Sequence, residues 1–172
     1  MIGIERSSRH SKIVGNFGEY LVCNWLSRSG FEVCVVDHTG LDIIAYNRCT
    51  KQRLGITVKS RTRTEGTESE SVYIFREGDR QKLLDACEAF QCEPWIAVYA
   101  ERDTEADLFL TSLDNYDRHK PQRTRAVDGW GMTGKHILAY QDDPEVKHIH
   151  MLFKADNWWP TGAASRSATV GR

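Results

Sequence analysis

Apolar residues repeat at helical spacing in two parts of the chain. Between Ser11 and Ser29 they lie three and four residues apart, which predicts an amphipathic helix with its apolar stripe at Val14, Phe17, Leu21, Val22, Trp25 and Leu26. Glu19 lies at the edge of this stripe, and Gly30 is typical of a helix end. A second helix is predicted from about Arg80 to Phe90, with an apolar side formed by Leu83, Leu84, Cys87 and Phe90.

Shorter runs rich in β-branched and aromatic residues predict six strands. They are Phe31 to Val36, Gly40 to Tyr46, Leu54 to Arg61, Val72 to Phe75, Trp95 to Ala100 and Leu108 to Leu113. The segments His136 to Tyr140 and His148 to Phe153 fit either edge strands or a short helix. This order of elements predicts a mixed central β-sheet flanked by helices, in the α/β or α+β class.

The length of the chain sets the expected domain organisation. With 172 residues it can form one domain with a substantial core, and we expect that domain to span residues 11–160. Residues 1–10 are polar and predict a flexible N-terminal arm. Residues 161–172 are rich in Gly, Ala and Ser and predict a disordered tail.

Two charged residues interrupt the apolar pattern of the second and third predicted strands. Asp42 opens one strand and Lys59 lies late in the next. If the chain turns around Cys49 to Lys51, the strands pair antiparallel and Asp42 faces the segment from Thr57 to Lys59. Thr57 and Lys59 then share one strand face. Because burying such charges is costly unless they are paired or used, this hairpin is a candidate catalytic site.

The distribution of charge is more informative than its total. The formal net charge is −1, so the protein carries no overall basic field. The segment from Ile43 to Thr64 nevertheless contains no acidic residue, and its basic residues are Arg48, Lys51, Arg53, Lys59, Arg61 and Arg63. A second basic group consists of Arg118, Lys120, Arg123 and Arg125. Together with Ser60 these residues are candidates for a DNA-binding face, although a solvated hairpin tip explains either group equally well.

Several other classes of protein are disfavoured. The five cysteines are odd in number and lack C-x-x-C spacing, which predicts reduced thiols in a cytoplasmic protein. No apolar run approaches the roughly 18 residues of a membrane span, so no membrane association is expected. No glycine-rich phosphate loop or dinucleotide fingerprint occurs, so no nucleotide cofactor is expected. His148 and His150 alternate along the chain, but without an evident third ligand we expect no metal site there.

Four short motifs occur in an order that resembles the PD-(D/E)xK nuclease superfamily. They are Gly15 with Glu19 on the first helix, Gly30-Phe31, Gly40 with Asp42-Ile43-Ile44-Ala45, and Thr57-Val58-Lys59. Each motif is weak alone, and the set covers roughly Ser11 to Arg61. Within the superfamily, the motifs look most like those of archaeal Holliday junction resolvases and small restriction-endonuclease-like proteins. The resemblance implies the restriction-endonuclease-like fold.

The same resemblance implies a metal-dependent DNA endonuclease that uses Mg²⁺, for which Mn²⁺ can substitute. It makes Asp42 the main metal ligand, with Glu19, the Val58 carbonyl and position 57 as further ligands. Lys59 would position or activate the attacking water, or stabilise the charge that develops on the phosphate. A homodimer is expected, because two DNA strands must be cut with one site per chain. Accessory polar residues at the start of the second helix would be Gln81 and Lys82.

Thr57 departs from the pattern, because related proteins carry Glu, or in some branches Gln, at this position. A threonine hydroxyl is a neutral and weak ligand, so the metal site loses one formal charge. Two alternatives follow. Glu19 or water compensates and the nuclease is active, or the site is degenerate and the protein binds DNA or a protein partner without cleavage. An RNA-directed nuclease on the same scaffold is a third hypothesis.

Overall fold

A computed structural model of the chain describes residues 7–64, 66–102, 104–119 and 128–154. The helices are α1 (His10–Arg28), α2 (Asp79–Phe90), α3 (Leu113–His119) and α4 (Gly134–Asp142). The strands are β1 (Phe31–His38), β2 (Leu41–Asn47), β3 (Arg53–Thr62), β4 (Val72–Phe75), β5 (Glu93–Glu101), β6 (Glu105–Ser112), β7 (Asp128–Trp130) and β8 (Lys147–Leu152). None of these helices combines the length and apolarity needed to cross a membrane.

The centre of the molecule is a six-stranded sheet in the order β1-β2-β3-β5-β6-β8. β3 and β5 are parallel, and the other neighbouring strands are antiparallel. The chain passes from β3 to β5 through β4 and α2, while β4 also pairs with β7 in a small second sheet. A mixed sheet flanked by helices is therefore present, which confirms the predicted fold class.

Two hydrophobic cores lie on opposite faces of the large sheet. α1 covers one face, where Val22 and Leu26 pack with Ile43 and Ile56. The second core contains α2, the small sheet and the C-terminal helices, with buried residues that include Leu83, Phe109, Tyr116, Trp130 and Tyr140. The site described below lies between these two layers, where the β2–β3 pairing ends.

The first helix begins close to the predicted residue, and one residue of its predicted apolar stripe is exposed. Val14, Gly18, Val22 and Leu26 are buried at intervals of four residues. Phe17, which the sequence places on this stripe, is 45% exposed, and its ring meets the Tyr99 ring of β5 in a T-shaped contact. Gly18 explains the close packing, because a Cβ there would collide with the Ser60 hydroxyl on β3.

The C-terminal half resolves the alternatives that the sequence left open. The segment around His136 to Tyr140 is helical, as α4, and the segment from His148 is an edge strand, as β8. A further helix, α3, follows β6 directly, and it begins at Leu113, which the sequence places at the end of the preceding strand. Most of the predicted N-terminal arm, residues 1–6, and the whole predicted tail, residues 161–172, lie outside the described residues.

Candidate active site

Asp42 occupies the point at which backbone pairing between β2 and β3 stops. The last regular pair on this side is Ile43 with Ile56. Beyond it, Oδ2 of Asp42 accepts a hydrogen bond of 2.6 Å from the Val58 N–H and one of 3.1 Å from the Thr57 hydroxyl. The side chain thus continues the ladder in place of the backbone. The predicted hairpin register, with Asp42 facing Thr57, is present in the structure.

Lys59 lies on the same face of β3 as Thr57, as the alternation of a strand requires. It is partly exposed and lines an open cavity of about 360 Å³. The walls of this cavity come from α1, β3, β4 and the start of α2 with the segment before it. Its lining residues include Ser11, Gly15, Val58, Tyr73, Arg76 and Asp79.

Glu19 projects from α1 towards the same region and is partly buried. Burial, together with the negative charges of Asp42 and then Asp37, raises the pKa of the Glu19 carboxyl above its ordinary value. Glu19 and Asp42 therefore lie close enough to repel each other electrostatically. A cation between them would relieve that repulsion.

The oxygen donors at this point suit Mg²⁺. Among the described residues, Oδ1 of Asp42 has no hydrogen-bond partner, because both hydrogen bonds are accepted by Oδ2. The Val58 carbonyl faces the Asp42 side as well, since the N–H and C=O of a strand residue point the same way. Carboxylate and carbonyl oxygens are the ligands Mg²⁺ prefers, and it keeps several waters.

The site nevertheless has few protein ligands. Within the described part of the chain, no group of three His, Cys, Asp or Glu side chains is arranged to hold a metal ion. Thr57 stands at the place of the missing carboxylate. It is 5% exposed, and its hydroxyl is used to hold Asp42. A bound ion would depend on two carboxylates, one carbonyl and water.

Asp79 and Arg76 belong to the surroundings of Lys59, and the sequence did not indicate either of them. Burial opposes ionisation of Asp79, but hydrogen bonds from Lys82 and the Arg76 N–H, with the charges of Lys82 and Lys59, lower its pKa overall. Lys82 Nζ lies 3.1 Å from Asp79 Oδ1. The predicted accessory residue Lys82 thus contacts Asp79, and Asp79 in turn interacts electrostatically with Lys59.

Gln81, the other predicted accessory residue, is directed along the surface of α2. Its side-chain amide donates a hydrogen bond of 2.7 Å to Asp85, one turn further along the helix. The structure does not bring it to Asp42 or Lys59.

Arg61 is the predicted DNA-binding arginine that the structure places beside Lys59. It is exposed and lines the same cavity. Arg63, two residues later, is only 7% exposed and donates a hydrogen bond of 2.6 Å to the Glu70 carbonyl. Burial lowers the pKa of the Arg63 guanidinium. Its position is suited to holding the segment before β4, and a phosphate on the surface would not reach it.

Three predicted DNA-binding residues of the first basic group do not form one face with Asp42. Arg48, Lys51 and Arg53 lie at the β2–β3 turn, and Arg53 is roughly 20 Å from Lys59 along β3 at the usual strand rise. Arg48 pairs with Glu32 at 3.1 Å, and Arg53 donates to the Phe90 carbonyl.

Arg118 lies at this far end as well, because α3 follows the end of β6, which faces the start of β5. It forms an ion pair with Glu145. The other members of that basic group, Lys120, Arg123 and Arg125, lie outside the described residues. Among the described residues, Arg118 thus lies at the opposite end of β5 from the candidate site.

His148 and His150 contact a carboxylate that the sequence had not associated with them. Their ring nitrogens lie 2.8 and 2.9 Å from Oδ1 of Asp107 on the neighbouring strand β6. Asp107 is 5% exposed. These contacts attach the edge strand β8 to the sheet, far from Asp42 in the strand order.

No family model matches the chain, and no curated protein matches it. Three solved nuclease structures are similar to it. Hjc, a Holliday junction resolvase from the archaeal hyperthermophile Archaeoglobus fulgidus, is 18% identical, with a TM-score of 0.47 over 65% of this chain and 86% of that chain. The bacterial homing endonuclease I-Ssp6803I is 13% identical, with a TM-score of 0.44 over 91% of this chain and 83% of that chain. A restriction endonuclease in complex with substrate DNA is 12% identical, with a TM-score of 0.45 over 91% and 79% of the two chains. Similarity at this level concerns only the arrangement of sheet and helices. In this chain that arrangement is a mixed six-stranded sheet flanked by helices.

Proposed function

We propose that this protein is a metal-dependent DNA endonuclease whose active site is built on Asp42, Glu19, Thr57, Val58 and Lys59. One observation carries the proposal: the Asp42 carboxylate of β2 is held by one oxygen against Thr57 and Val58 of β3, and Lys59 is the next residue on β3. Lys59 and Val58 line an open cavity, from which a bound DNA strand would reach the Lys59 ammonium group.

Asp42, Glu19 and the Val58 carbonyl would hold Mg²⁺, or Mn²⁺ in its place. The bound ion would offset the charge on the attacked phosphate and make a water molecule easier to deprotonate. Asp42 is pre-oriented for this role, because both hydrogen bonds fix Oδ2 and leave Oδ1 for the ion. Ligands that are already fixed lose little conformational entropy when the ion binds.

Lys59 would act on the reacting groups from the cavity side. Its ammonium group carries three donors on a flexible stem, so it can donate a hydrogen bond to the attacking water or to a phosphate oxygen. Asp79 lies near enough to interact electrostatically with Lys59. We expect this carboxylate to help keep the Lys59 side chain in the cavity.

The test is cleavage of supercoiled plasmid and of branched DNA, with Mg²⁺, with Mn²⁺ and with EDTA. We expect cutting that requires the metal and is lost in Lys59→Ala, with circular dichroism showing that the variant is folded. An RNA strand of the same sequence separates DNA-directed from RNA-directed activity. If the parent protein binds DNA but cuts no substrate under any of these conditions, the proposal is refuted.

Thr57 favours a second candidate function, a DNA-binding protein that has lost cleavage. A hydroxyl that donates to Asp42 replaces a charged ligand, and the two carboxylates are fewer than a typical metal cluster provides. Thr57→Glu distinguishes the two functions. If Thr57→Glu cuts DNA faster than the parent in the presence of metal, a side chain at position 57 can still reach the ion. If the parent and Thr57→Glu both bind DNA without cutting it, the second candidate function is supported.

We also propose that the active species is a homodimer, since each chain supplies one set of site residues and a duplex has two strands. Light scattering of the protein alone and with DNA measures the mass of the complex. A mass of one chain per DNA molecule at cleavage-competent concentrations would exclude this part of the proposal.

A further inference from the structure

Tyr73 is a large aromatic side chain exposed beside the proposed catalytic lysine. It lies on β4, is 58% exposed, and lines the same cavity as Lys59. Within the described residues its ring contacts no other aromatic ring and its hydroxyl has no hydrogen-bond partner. Its neighbours Val72 and Ile74 are almost completely buried, so the strand turns only this residue outwards.

The strand opposite Tyr73 leaves the ring uncovered. Tyr73 pairs with Gly129 of β7, which has no side chain to pack against it. An aromatic ring that is open to solvent at a cavity wall is a surface on which another flat group can stack. Nothing in the described part of the small sheet needs the Tyr73 ring for its own packing.

The charges around this ring favour an anionic ligand. Arg61, Arg76 and Lys59 line the cavity, and none of the three forms an ion pair with a described carboxylate. The acidic group in the lining, Asp79, is already bonded to Lys82. A polyanion with flat, uncharged rings matches this combination of free cations and an open aromatic face, and a nucleic acid strand has that chemistry.

The cavity continues past Arg61 along β3. A second open cavity of about 420 Å³ shares Ser11, Ser60 and Arg61 with the first, and it is otherwise lined by Ser7, Ser8, His10, Val14 and Thr62. The two adjoin through these shared residues and form one groove that starts at Lys59. Each has a volume in the range of a small-molecule site, about 300–1,000 Å³, so each holds little more than one nucleotide unit.

We propose that Tyr73 is a stacking subsite for an unpaired nucleobase of the DNA strand whose phosphate lies at Lys59. This inference rests on the proposed nuclease function and adds a substrate class to it. The bases of a duplex are covered on both faces by their neighbours, so a base that stacks on Tyr73 has left the helix. The preferred substrate is therefore DNA with an unpaired nucleotide next to the scissile phosphate.

A mutant cycle between protein and DNA tests the proposal. Affinity is measured by fluorescence anisotropy for a labelled branched DNA, in the Lys59→Ala background with Mg²⁺ so that the DNA stays intact. A single abasic position is moved through the three unpaired nucleotides nearest the branch. Tyr73→Ala is compared with Tyr73→Phe, which keeps the ring, and with Tyr20→Ala, which removes an exposed aromatic ring (65% exposed) outside the groove.

We expect Tyr73→Ala to weaken binding of the intact DNA by roughly 5- to 100-fold, the range for loss of one base–aromatic stack. The abasic substitution should cause a similar loss in the protein with Tyr73, and no further loss in Tyr73→Ala. Tyr73→Phe and Tyr20→Ala should bind like the Lys59→Ala parent.

Equal effects of the abasic site with and without the Tyr73 ring, at all three positions, would overturn the stacking subsite. If the effect of the abasic site depends on the Tyr73 ring with RNA but not with DNA, the assignment to DNA is overturned. A lack of measurable DNA binding would overturn it as well. The nuclease proposal fails separately: if the parent cuts no DNA while the coupling is present, the subsite stands without the activity. Cutting without coupling leaves the activity and removes the subsite.

Discussion

Asp42 has a structural task as well as the proposed chemical one, and two substitutions separate them. Asp42→Ala leaves the Val58 N–H and the Thr57 hydroxyl without an acceptor, which should cost about 1–3 kcal/mol in the free energy of unfolding. Asp42→Asn keeps an acceptor oxygen, so its stability should stay closer to that of the parent while cleavage is lost. Urea denaturation measures both values. Equal destabilisation by the two variants would contradict the hydrogen-bonding role assigned here.

Glu19 should make the metal-free protein less stable at neutral pH. Its pKa is raised in the folded protein, so the unfolded chain ionises first and stability falls as pH rises from the ordinary value of 4.5 through the raised pKa. Glu19→Gln removes that loss. Without metal, the variant should therefore melt at a higher temperature than the parent at pH 7, and the difference should vanish near pH 4.

Adding Mg²⁺ at pH 7 should reverse the order of the two proteins. The parent gains stability from the ion by mass action, and Glu19→Gln lacks one ligand. Melting temperatures with and without Mg²⁺ measure this directly. If Mg²⁺ raises the melting temperatures of both proteins equally, Glu19 is not a ligand of the ion. This conclusion would hold whatever the activity assay shows.

The close contact between α1 and β3 places Glu19 relative to Asp42, and it depends on Gly18. In Gly18→Ala the added methyl group would collide with Ser60 Oγ. It would also lie 3.3 Å from the Cβ atom of Tyr99. We expect a loss of about 1–3 kcal/mol of stability, as for overpacking of a core. Ser60→Ala removes the nearer obstacle, so the double variant should recover part of the loss. Equal denaturation curves for Gly18→Ala with and without Ser60→Ala would show that the obstacle lies elsewhere.

Local pairing explains why part of the site could be predicted from the sequence. Asp42 and Thr57 belong to one hairpin, so a turn position and a two-residue period are enough to bring them face to face. Phe17 was misplaced because spacings of three and four fit several helix faces, and only the sheet beneath decides which face is buried. Glu19 required the resemblance, since the packing of α1 on β3 cannot be read from the helix alone.

The C-terminal helices are held together by a charged contact that should make the protein sensitive to acid. Asp143 accepts hydrogen bonds from Asn115 at 2.9 Å and from His119 at 2.6 Å, and these bonds first of all lower its pKa to about 2. A carboxylate with a lowered pKa stabilises the folded state above its ordinary value of 3.8, and this is lost as pH falls towards 2.

Asp143→Asn should therefore lose less stability than the parent between about pH 4 and pH 2. Thermal melting at several pH values tests this, and Asp142→Asn, which changes the preceding carboxylate, serves as the control. Parallel melting curves for the parent and Asp143→Asn over this range would contradict the assignment. DNA cleavage at neutral pH should be unchanged, because Asp143 lies outside the candidate site.

Contacts between distant segments account for what the sequence could not predict about the molecule as a whole. Arg63 looked like a continuation of a basic strand, but the loop to Glu70 folds back over it. The sequence gives Tyr73 no recognisable role, because its exposure depends on the pairing of β4 with β7, more than fifty residues later in the chain. The contact between His150 and Asp107 likewise depends on the pairing of β8 with β6. Such placements depend on the order of strands in space, which local patterns do not determine.

The most direct test of the central claim is the rate at which branched DNA is cut in Mg²⁺ by the parent protein and by Asp42→Asn. The substitution keeps the size and the hydrogen-bond acceptor of the side chain and removes the charge that would hold the ion. A metal ion contributes several kcal/mol to such a reaction, so we predict metal-dependent cutting by the parent and a loss of at least about 100-fold in the variant. A folded Asp42→Asn protein that cuts at the parental rate would contradict the account.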